Sequence, residues 1–359
     1  MSRFLLVDIG AGTMDVLYFD TQSDLHYKAV VCSPVRELAQ CIRQTTGDIL
    51  VHGCEMGGGA VSSALAERAR NHRVVMSAAA AQTVHHDPQR VRAAGIRIEA
   101  ELDPSTAAGG GFGQVLQLGD VEPQRLEALV RAFGVEYRFD AVAFCAQDHG
   151  QPPSGVSHLD FRHILFQEQL QRSPHPHKLL YAADEIPPPL SRLKAIAEAA
   201  QALPTEAVYV MDSGMAAISG ASLDPRARDL ESVMVLDVAT SHTVGALLTG
   251  QELAGFFEYH THDITLARLE TLLVQLADGK ISHAQILQEG GHGAYCRHQV
   301  GFDKVQLILA TGPHRRLLAQ SRLPIAWGAP LGDNMMTGTA GLLEALRRRM
   351  GLAPINPSL

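Results

Sequence analysis

Short apolar runs alternate with amphipathic stretches along most of the chain, and this alternation predicts strands and helices in turn. The run at 139–146 is apolar throughout, which is typical of a strand buried on both faces. Further strands are predicted at 4–7, 16–19, 48–52, 73–76, 96–99, 207–211, 233–238, 244–248 and 305–310. Helices are predicted at 61–70, 123–133, 190–202, 215–222, 266–276 and 339–350. Alternation of this kind indicates a layered α/β fold.

The same sequence unit opens each half of the chain. Residues 5–13 read LLVDIGAGT and residues 234–242 read MVLDVATSH, and each unit leads into a second apolar strand. A chain of 359 residues is also longer than the roughly 250–300 at which a single core stops growing. The repeat therefore predicts two similar α/β domains around a cleft. We expect domain I over 1–215 with an excursion at about 151–189, domain II over 216–340, and a helix and tail over 341–359.

The glycine-rich turn at 10–12 is a candidate phosphate-binding element. A dinucleotide fingerprint needs a third glycine three residues on and then a helix, whereas this turn has Asp15 there and a strand follows. The turn is therefore predicted to close a hairpin whose N–H groups can line a phosphate. Asp8, at the end of the entering strand, can hold Mg²⁺ directly or through water. A tight turn with a solvated aspartate is the alternative for one copy, and the second copy at Asp237 favours phosphate binding.

Three short segments occur in a recognisable order. They are Asp8-Ile9-Gly10-Ala11-Gly12-Thr13-Met14-Asp15, then Asp237-Val238-Ala239-Thr240-Ser241, then Ala310-Thr311-Gly312-Pro313. This order resembles the actin, heat-shock chaperone and sugar-kinase superfamily, in which such segments form two phosphate loops and an adenosine motif. Ala239 and Ser241 stand where the second loop is expected to have glycines.

That resemblance covers nearly the whole chain, since 211–220 and 332–343 are similar to the superfamily's two connecting helices at the domain hinge. It implies an α/β fold of two actin-like (ribonuclease H-like) domains around a nucleotide cleft. It also implies ATP, or another nucleotide, with Mg²⁺ bridging the phosphates and the side chains of Asp8 and Asp237.

Two further segments resemble the carbohydrate-kinase branch of the superfamily. The strand ending in Gln147-Asp148-His149-Gly150 is similar to one whose residues contact the sugar, and Asp212 stands where that branch has its general base. The resemblance implies that Gln147 and His149 bind substrate and that Asp212 or Asp148 is catalytic. A simple chain turn and a helix cap are the respective structural alternatives.

Gln147–Gly150, Asp212–Ala217 and Gly290–Gly293 also resemble a family labelled "putative pyruvate formate-lyase activating enzyme". That label implies a radical enzyme with an iron–sulfur cluster, whose ligation needs thiolates within reach of one another. The five cysteines lie at least nine positions apart and form no C-x-x-C pair. They are Cys32, Cys41, Cys54, Cys145 and Cys296. We therefore expect no such cluster.

Other histidines and glycines are candidates for binding. In the motif His260-Thr261-His262-Asp263, period two would place both imidazoles on one strand face, where they could bind Zn²⁺, or the motif is a polar hairpin end. His292, between glycines, belongs either to a flexible loop or to a lid that reaches substrate in the cleft. Gly58 and Gly59 either let the backbone approach a ligand or form a strand-to-helix turn.

Composition and charge restrict the classes of function. The chain is 46% hydrophobic, which excludes a mostly disordered protein, and its net charge of −8 argues against nucleic acid as a partner. No apolar run reaches the roughly 20 residues that span a bilayer, so no membrane association is expected. Asp8 interrupts the first apolar run, which argues against a signal peptide. These features predict a reduced, cytoplasmic protein.

Three functions remain open on the sequence. The first is an ATP- and Mg²⁺-dependent phosphotransferase acting on a small polar, possibly hydroxylated molecule. The second is an ATPase switch that activates or chaperones a protein client, and the third is an actin-like protein that binds a ligand without turnover. The candidate pocket residues Gln147, Asp148 and His149 favour the first.

Overall fold

The fold is described from a computed structural model over residues 2–22, 26–100, 102, 111–153 and 155–354. The strands are β1 (Arg3–Ile9), β2 (Thr13–Asp20), β3 (His26–Cys32), β4 (Ile49–Gly53), β5 (Val74–Ser77), β6 (Arg97–Glu99), β7 (Gln114–Leu118), β8 (Ala141–Ala146), β9 (Tyr181–Ala182), β10 (Val208–Asp212), β11 (Ser232–Val238), β12 (His242–Thr249), β13 (Glu252–His260), β14 (Gly293–Cys296), β15 (Leu307–Thr311) and β16 (Ile325–Trp327). The α-helices are α1 (Pro34–Gln44), α2 (Ala60–Arg68), α3 (Ala78–Ala81), α4 (Pro88–Ala93), α5 (Pro123–Ala132), α6 (His158–Arg172), α7 (Ser191–Ala200), α8 (Ser213–Ala221), α9 (Leu266–Ala277), α10 (His283–Gln288) and α11 (Thr337–Arg349).

Two of the three sheets repeat one topology. The first has the order β3-β2-β1-β8-β10-β9 and the second β14-β13-β12-β11-β15-β16. In each, an antiparallel three-stranded meander continues into two parallel strands, so β1 corresponds to β11 and β8 to β15. The predicted α/β fold of two actin-like domains is confirmed. The boundary predicted at 215 lies inside α8 and stays a prediction.

A third sheet is inserted into domain I between β3 and β8. It is parallel, with the order β6-β5-β4-β7, and it has its own apolar core with helices α1 to α4. The internal repeat does not reveal this insertion because it occurs in only one half of the chain. One of its loops, at 55–59, forms part of the cleft described below.

Several helices begin where the sequence supplies a capping side chain. Ser33, Asp87, Ser157 and Asp212 each accept a hydrogen bond from a backbone N–H in the first turn of the helix that follows. The predicted excursion at 151–189 contains one of these, α6, whose residues carry only a weak amphipathic pattern. Among the described residues, no helix is both long enough and apolar enough to cross a membrane.

Helices α8 and α11 cross in direct backbone contact at the hinge. A Cβ atom added to Gly220 would lie 1.8 Å from the carbonyl oxygen of Thr337, and one added to Gly341 would lie 1.8 Å from that of Ala216. Both helices are buried along almost their whole length, within a core that includes residues of both sheets. The two segments that resemble connecting helices therefore pack against each other, as the resemblance implies.

Candidate functional site

A cleft of ≈ 640 Å³ lies between the two domains. Domain I contributes the β1–β2 turn, the loop after β8 and part of the inserted unit, and domain II contributes the β11–β12 turn, the end of β13 and the loop before β14. The topology explains this convergence, because the carboxyl ends of β1, β8, β11 and β15 face the same gap.

The two turns have the same local geometry. The N–H of Gly10 donates to the carbonyl oxygen of Thr13 at 3.0 Å, and the N–H of Ala239 donates to that of His242 at 3.0 Å. Neither turn uses a positive φ angle, so alanine at 239 closes the second hairpin as well as glycine closes the first.

The turns also touch each other across the domain boundary. A Cβ atom added to Gly12 would lie 2.8 Å from the side-chain oxygen of Thr240. Gly12 is buried by this packing, whereas Ala11 and Thr240 are exposed to the cleft. Glycine is needed at position 12 for the approach of the second turn, and the exposed neighbours remain free to meet a ligand.

Three carboxylates from these hairpins come together. Asp8 pairs with Asp15 in the β1–β2 register, and Asp237 holds the position of Asp8 in domain II. Burial, followed by the charge of Asp8, raises the pKa of Asp15 to about 8 and that of Asp237 to about 7. Burial also raises the pKa of Asp8 to about 6. Like charges that share a poorly hydrated site disfavour ionisation, and a cation between them would relieve this.

One carboxylate oxygen of this cluster makes no hydrogen bond to the described residues. Asp15 is 6% exposed, and its Oδ1 has no hydrogen-bond partner among the described residues. Mg²⁺ prefers carboxylate and phosphate oxygens, and proteins usually hold it by one or two carboxylates. The donor set of Asp8, Asp15 and Asp237 fits such an ion.

The predicted adenosine motif follows β15. Thr311 is fully buried and its hydroxyl is bonded to the hydroxyl of Thr337, so it supports the loop and does not line the cleft. Gly312 has φ of +86°, and a Cβ there would lie 2.7 Å from Asp237 Oδ1. Gly312 and Pro313 do line the cleft. The loop therefore packs tightly against the acidic cluster.

The first turn of α11 is fitted against Asp8. A Cβ atom added to Gly338 would lie 2.0 Å from Asp8 Oδ2. The glycine thus allows the helix start to approach the carboxylate, where the positive end of the helix dipole favours negative charge. The start of the hinge helix α11 is therefore packed directly against the acidic cluster.

A second group of polar residues lines the domain I side of the cleft. The Oε1 of Glu55 lies 2.9 Å from Nε2 of His86, and this carboxylate, after the opposing effect of burial, raises the pKa of His86. The Oε2 of Glu55 is buried and has no partner within the part of the chain that the structure describes. His158, from α6, lies 3.2 Å from the other nitrogen of His86.

The glycines after β4 stand beside this pair. A Cβ atom at Gly58 would lie 2.8 Å from the carbonyl oxygen of Thr83, so glycine is required there by backbone packing. Gly59 has φ of +42° and precedes α2, with nothing near its Cα. The structure shows the strand-to-helix turn, and both glycines line the cleft, where the approach of a ligand stays a prediction.

Asp148 is held in place by backbone groups. Its Oδ1 accepts from the N–H of Gly150 at 2.8 Å and its Oδ2 accepts from the N–H of Leu193 at 2.9 Å. Burial raises the pKa of Asp148 to about 6. Arg192, beside it, donates to the carbonyl oxygen of Gln147 at 2.7 Å. Asp148 therefore fixes the loop that carries its neighbours, in addition to lining the cleft.

Asp212 is committed to structural contacts. Its Oδ1 accepts from the N–H groups of Gly214 and Met215, and its Oδ2 accepts from Arg162 Nη2 at 3.0 Å. The residue is buried and lies outside the lining of the cleft, although burial raises its pKa. This geometry supports the helix-cap alternative, and a role for Asp212 as base stays a prediction.

Arg162 joins Asp212 to Glu258 of domain II. Its Nη1 donates to Glu258 Oε2, and Gln147 Nε2 donates to Glu258 Oε1. All three charged side chains are nearly inaccessible to solvent. Burial acts to raise the pKa of Glu258, but the guanidinium outweighs it and lowers that pKa to about 2.

Four histidines meet at the domain II end of the cleft. They are His149, His242, His260 and His292. Burial lowers the pKa of His149, and it lowers the pKa of His242 to about 3 and that of His292 to about 4. These imidazoles are therefore neutral near pH 7. His292 is a buried residue of the loop before β14, and it lines the cleft.

Of the two interpretations of His260-Thr261-His262-Asp263, the structure supports the polar hairpin end. Strand β13 ends at His260, so His262 falls in the following turn, where it is exposed and lies 3.2 Å from Asp263. The His260 ring packs on that of His242, its partner in the β12–β13 register, and also lies near that of His262, with ring centroids 5.2 Å apart.

Most of the predicted site residues line this cleft. Those that do are Asp8, Gly10, Ala11, Thr13, Asp15, Gly58, Gly59, Gln147, Asp148, His149, Asp237, Thr240, Ser241, His292, Gly312 and Pro313. Those that do not are Gly12, Asp212 and Thr311.

Sequence reasoning missed Glu55, His86, Arg162 and Glu258. One signal was present, since Glu258 interrupts the apolar run 253–259 and a charge within such a strand needs a partner. Arg162 and Glu55 carry no comparable local signal, because their partners are distant in the sequence.

Comparison with known families gives a family-level answer. The model of the family described as "Putative pyruvate format-lyase activating enzyme (DUF1786)" matches residues 56–317. The chain belongs to this family. The resemblance to it is thereby confirmed, while a search of curated proteins gave no match.

Solved structures similar to this family member were also found. A protein described as "a putative N-acetylmannosamine kinase" from Listeria monocytogenes is 10% identical, with 97% of this chain and 99% of that chain covered and a TM-score of 0.36. A protein of actin-like ATPase fold from Bacteroides thetaiotaomicron is 8% identical, with coverages of 96% and 95% and a TM-score of 0.37. A chain of a PilM–PilN type IV pilus biogenesis complex is 13% identical, with coverages of 98% and 98% and a TM-score of 0.39.

The cysteines of this family member are distributed over separate parts of the fold. Cys145 is buried in the domain I sheet, Cys32 is exposed at the end of β3, and Cys296 lies on β14 in domain II. Cys41 and Cys54 belong to the inserted unit. Among the described residues, which include all five, no three cysteines come within metal-ligand distance of one another.

Proposed function

We propose that this protein is an ATP- and Mg²⁺-dependent phosphotransferase acting on a small polar molecule. The observation that carries the proposal is the convergence of Asp8, Asp15 and Asp237 between two matching hairpin turns. One buried carboxylate oxygen of this group, Asp15 Oδ1, has no hydrogen-bond partner among the described residues. Phosphoryl transfer depends chiefly on positioning and on neutralising phosphate charge, and this arrangement suits both.

The residues of the two turns have distinct roles in the proposal. The exposed backbone at Ala11 and Thr240 and the hydroxyls at positions 13, 240 and 241 would bind phosphate oxygens. The loop at 312–313 would border the nucleoside. The carboxylates of Asp8 and Asp237 would hold Mg²⁺, with Asp15 as a further oxygen donor. When bound, Mg²⁺ would supply the positive charge that phosphoryl transfer requires.

The acceptor molecule is proposed to occupy the cleft beside Glu55, Gly58, Gln147 and His149. In this part of the cleft, hydrogen-bond acceptors, hydrogen-bond donors and backbone groups line the same wall. Such a set suits a hydroxylated or otherwise polar compound. An ATPase switch acting on a protein client would need no polar pocket beside the nucleotide, so these lining residues favour the small molecule.

The candidates for the general base are the carboxylates of Asp212, Asp148 and Glu55. Both oxygens of Asp212 and of Asp148 already accept hydrogen bonds from the protein. Glu55 lines the cleft, its Oε1 is held by His86, and its buried Oε2 has no hydrogen-bond partner among the described residues. We therefore add Glu55 to the candidates, because a base needs an oxygen that can reach the substrate proton.

The first experiment is a thermal-shift titration of the full chain with ATP, ADP and GTP, each with and without Mg²⁺. A nucleotide at 100 times its dissociation constant should stabilise the fold by about 2.7 kcal/mol. Asp8→Asn and Asp237→Asn should remove the Mg²⁺ dependence, whereas Asp229→Asn, at an exposed position, should not.

A positive result leads to a panel of small hydroxylated molecules, with ADP release as the readout. Absence of any Mg²⁺-dependent shift at millimolar nucleotide would overturn the proposal. Binding of nucleotide without any acceptor-stimulated ADP release would favour the ATPase or ligand-binding alternatives.

A further inference from the structure

The histidines at the domain II end of the cleft have a geometry that nucleotide binding does not explain. One ring nitrogen from each of His149, His242 and His292 lies within 4.8 Å of the corresponding atoms of the other two. These residues come from the loop after β8, the start of β12 and the loop before β14. Three separate elements thus direct imidazole nitrogens to one point.

Two of these imidazoles have buried nitrogens that make no hydrogen bond to the described residues, although the Nδ1 of His292 lies 3.8 Å from Glu258 Oε1. The Nε2 of His242 and the Nδ1 of His292 are buried and make no hydrogen bond to any part of the chain that is described. Burying an unpaired polar atom is costly, so a pair of them at one point indicates that something else occupies their lone pairs.

The surroundings fix how one ring is presented. The Nδ1 of His242 lies 2.8 Å from Ser241 Oγ. With the proton on Nδ1, the ring donates to this oxygen and keeps the lone pair of Nε2 available to a metal, as in many metal-bound histidines. The backbone N–H of His292 donates to the carbonyl oxygen of Glu258 at 2.8 Å, which holds that loop against β13.

We propose that His149, His242 and His292 bind a single zinc ion. Zinc takes imidazole ligands at 2.0–2.1 Å, which places two ligand nitrogens of a tetrahedral site roughly 3.3 Å apart. Contraction from the present spacing needs each nitrogen to move by roughly 1 Å or less. Three protein ligands leave a fourth position for a water or substrate oxygen, and all three histidines line the cleft.

The proposed site would join the two domains. His149 belongs to domain I, and His242 and His292 belong to domain II, so bound zinc would hold the cleft in a closed arrangement. His242 also directly follows the second phosphate turn, so the metal would lie beside the proposed phosphate-binding region. The inference does not depend on nucleotide binding, and its test is made without nucleotide.

The test is a Zn²⁺ titration of the chelator-stripped full chain in competition with a chromophoric chelator. We expect one tightly bound equivalent, and with Co²⁺ the visible d–d absorption of a tetrahedral site. His242→Gln and His292→Gln should each weaken binding at least about 100-fold, since even supporting residues around a metal typically contribute 10–100-fold. His149→Gln should have the same effect from the other domain.

Two control variants separate this site from its neighbours. His262→Gln alters an exposed histidine two residues beyond β13, and Asp8→Asn alters the acidic cluster; neither should change Zn²⁺ affinity. Circular dichroism of the metal-free variants checks that they fold, and the Co²⁺ spectrum of the unaltered protein is an independent readout if one does not. Tight binding that survives the three histidine substitutions, or the absence of a bound equivalent, overturns the proposal.

Discussion

Arg162 of α6 donates a hydrogen bond to Glu258 of β13, so a buried ion pair connects an excursion of domain I to the sheet of domain II. The same guanidinium also pairs with Asp212 at the start of the hinge helix α8. Two carboxylates therefore depend on one cation in a region that solvent barely reaches. A substitution of Arg162 should therefore lower the stability of the fold and weaken the contact that holds the two sides of the cleft together.

Replacing Arg162 with methionine should destabilise the protein by about 3–5 kcal/mol, because breaking a buried pair leaves uncompensated charge. Arg172→Met, at an exposed position of the same helix, is the matched control and should have little effect. Chemical denaturation of both variants measures the difference. Equal stability of the two variants would show that the pair contributes nothing.

The loss of stability caused by Arg162→Met should also depend on pH. The pKa of Glu258 is lowered to about 2 in the folded protein, whereas a glutamate in the unfolded chain has a pKa of about 4.3. The ion pair therefore stabilises the fold above about pH 4.3, and this stabilisation is lost as the pH falls through about 2. Without Arg162, burial is opposed only by the weaker effects of His242 and His292, so the pKa of Glu258 should rise. The deficit should therefore be largest near pH 8 and should shrink toward pH 5, where the carboxyl takes up a proton.

The acidic cluster predicts an opposite pH dependence in the absence of divalent cations. Because the pKa values of Asp8, Asp237 and Asp15 are raised to about 6, 7 and 8, their contribution is most favourable below the unfolded value of about 3.9. It is then lost as the pH rises through those folded values. Melting temperatures in a chelating buffer should fall between pH 5.5 and pH 8.5 on this account.

Asp15→Asn should reduce this slope, and Mg²⁺ with ADP should stabilise the unaltered protein more at pH 8 than at pH 6, since metal ligands must be deprotonated. The comparison is made by melting curves at several pH values. An unchanged slope in Asp15→Asn, or a Mg²⁺ effect independent of pH, would count against a cation at this cluster.

The candidate general bases can be separated by two amide substitutions. Glu55→Gln should preserve the fold and lower the rate of phosphotransfer by about 10²–10⁴-fold if Glu55 is the base. Asp212→Asn should instead lower the melting temperature, since it removes a charge partner of Arg162 while keeping the helix cap. Melting curves and turnover rates, measured on both variants, give the answer. Full activity in Glu55→Gln would return attention to Asp148 and Asp212.

The iron–sulfur chemistry implied by the family's description is expected to be absent. Cluster ligation needs neighbouring thiolates, and the cysteines of this chain lie on separate elements. Anaerobic reconstitution followed by iron and sulfide analysis should give no stoichiometric cluster. A visible charge-transfer band that disappears in Cys54→Ser or Cys145→Ser would contradict this expectation.

Local patterns along the sequence were sufficient for the repeated unit of the fold. An apolar strand, an aspartate, a small turn and another apolar strand specify a hairpin by themselves, because strand alternation and turn geometry depend on residues only a few positions apart. Asp8 and Asp237 could therefore be placed at matching strand ends.

Only the tertiary structure decided which side chains meet in the cleft. Arg162 is 96 positions from Glu258, and Glu55 is 31 from His86, so no local pattern relates them. The three histidines of the proposed zinc site come from both domains, and the strand end at His260 was set by sheet pairing and not by the spacing of His260 and His262. Hairpins form from neighbours in sequence, whereas the electrostatics of a cleft arise from distant segments that packing brings together.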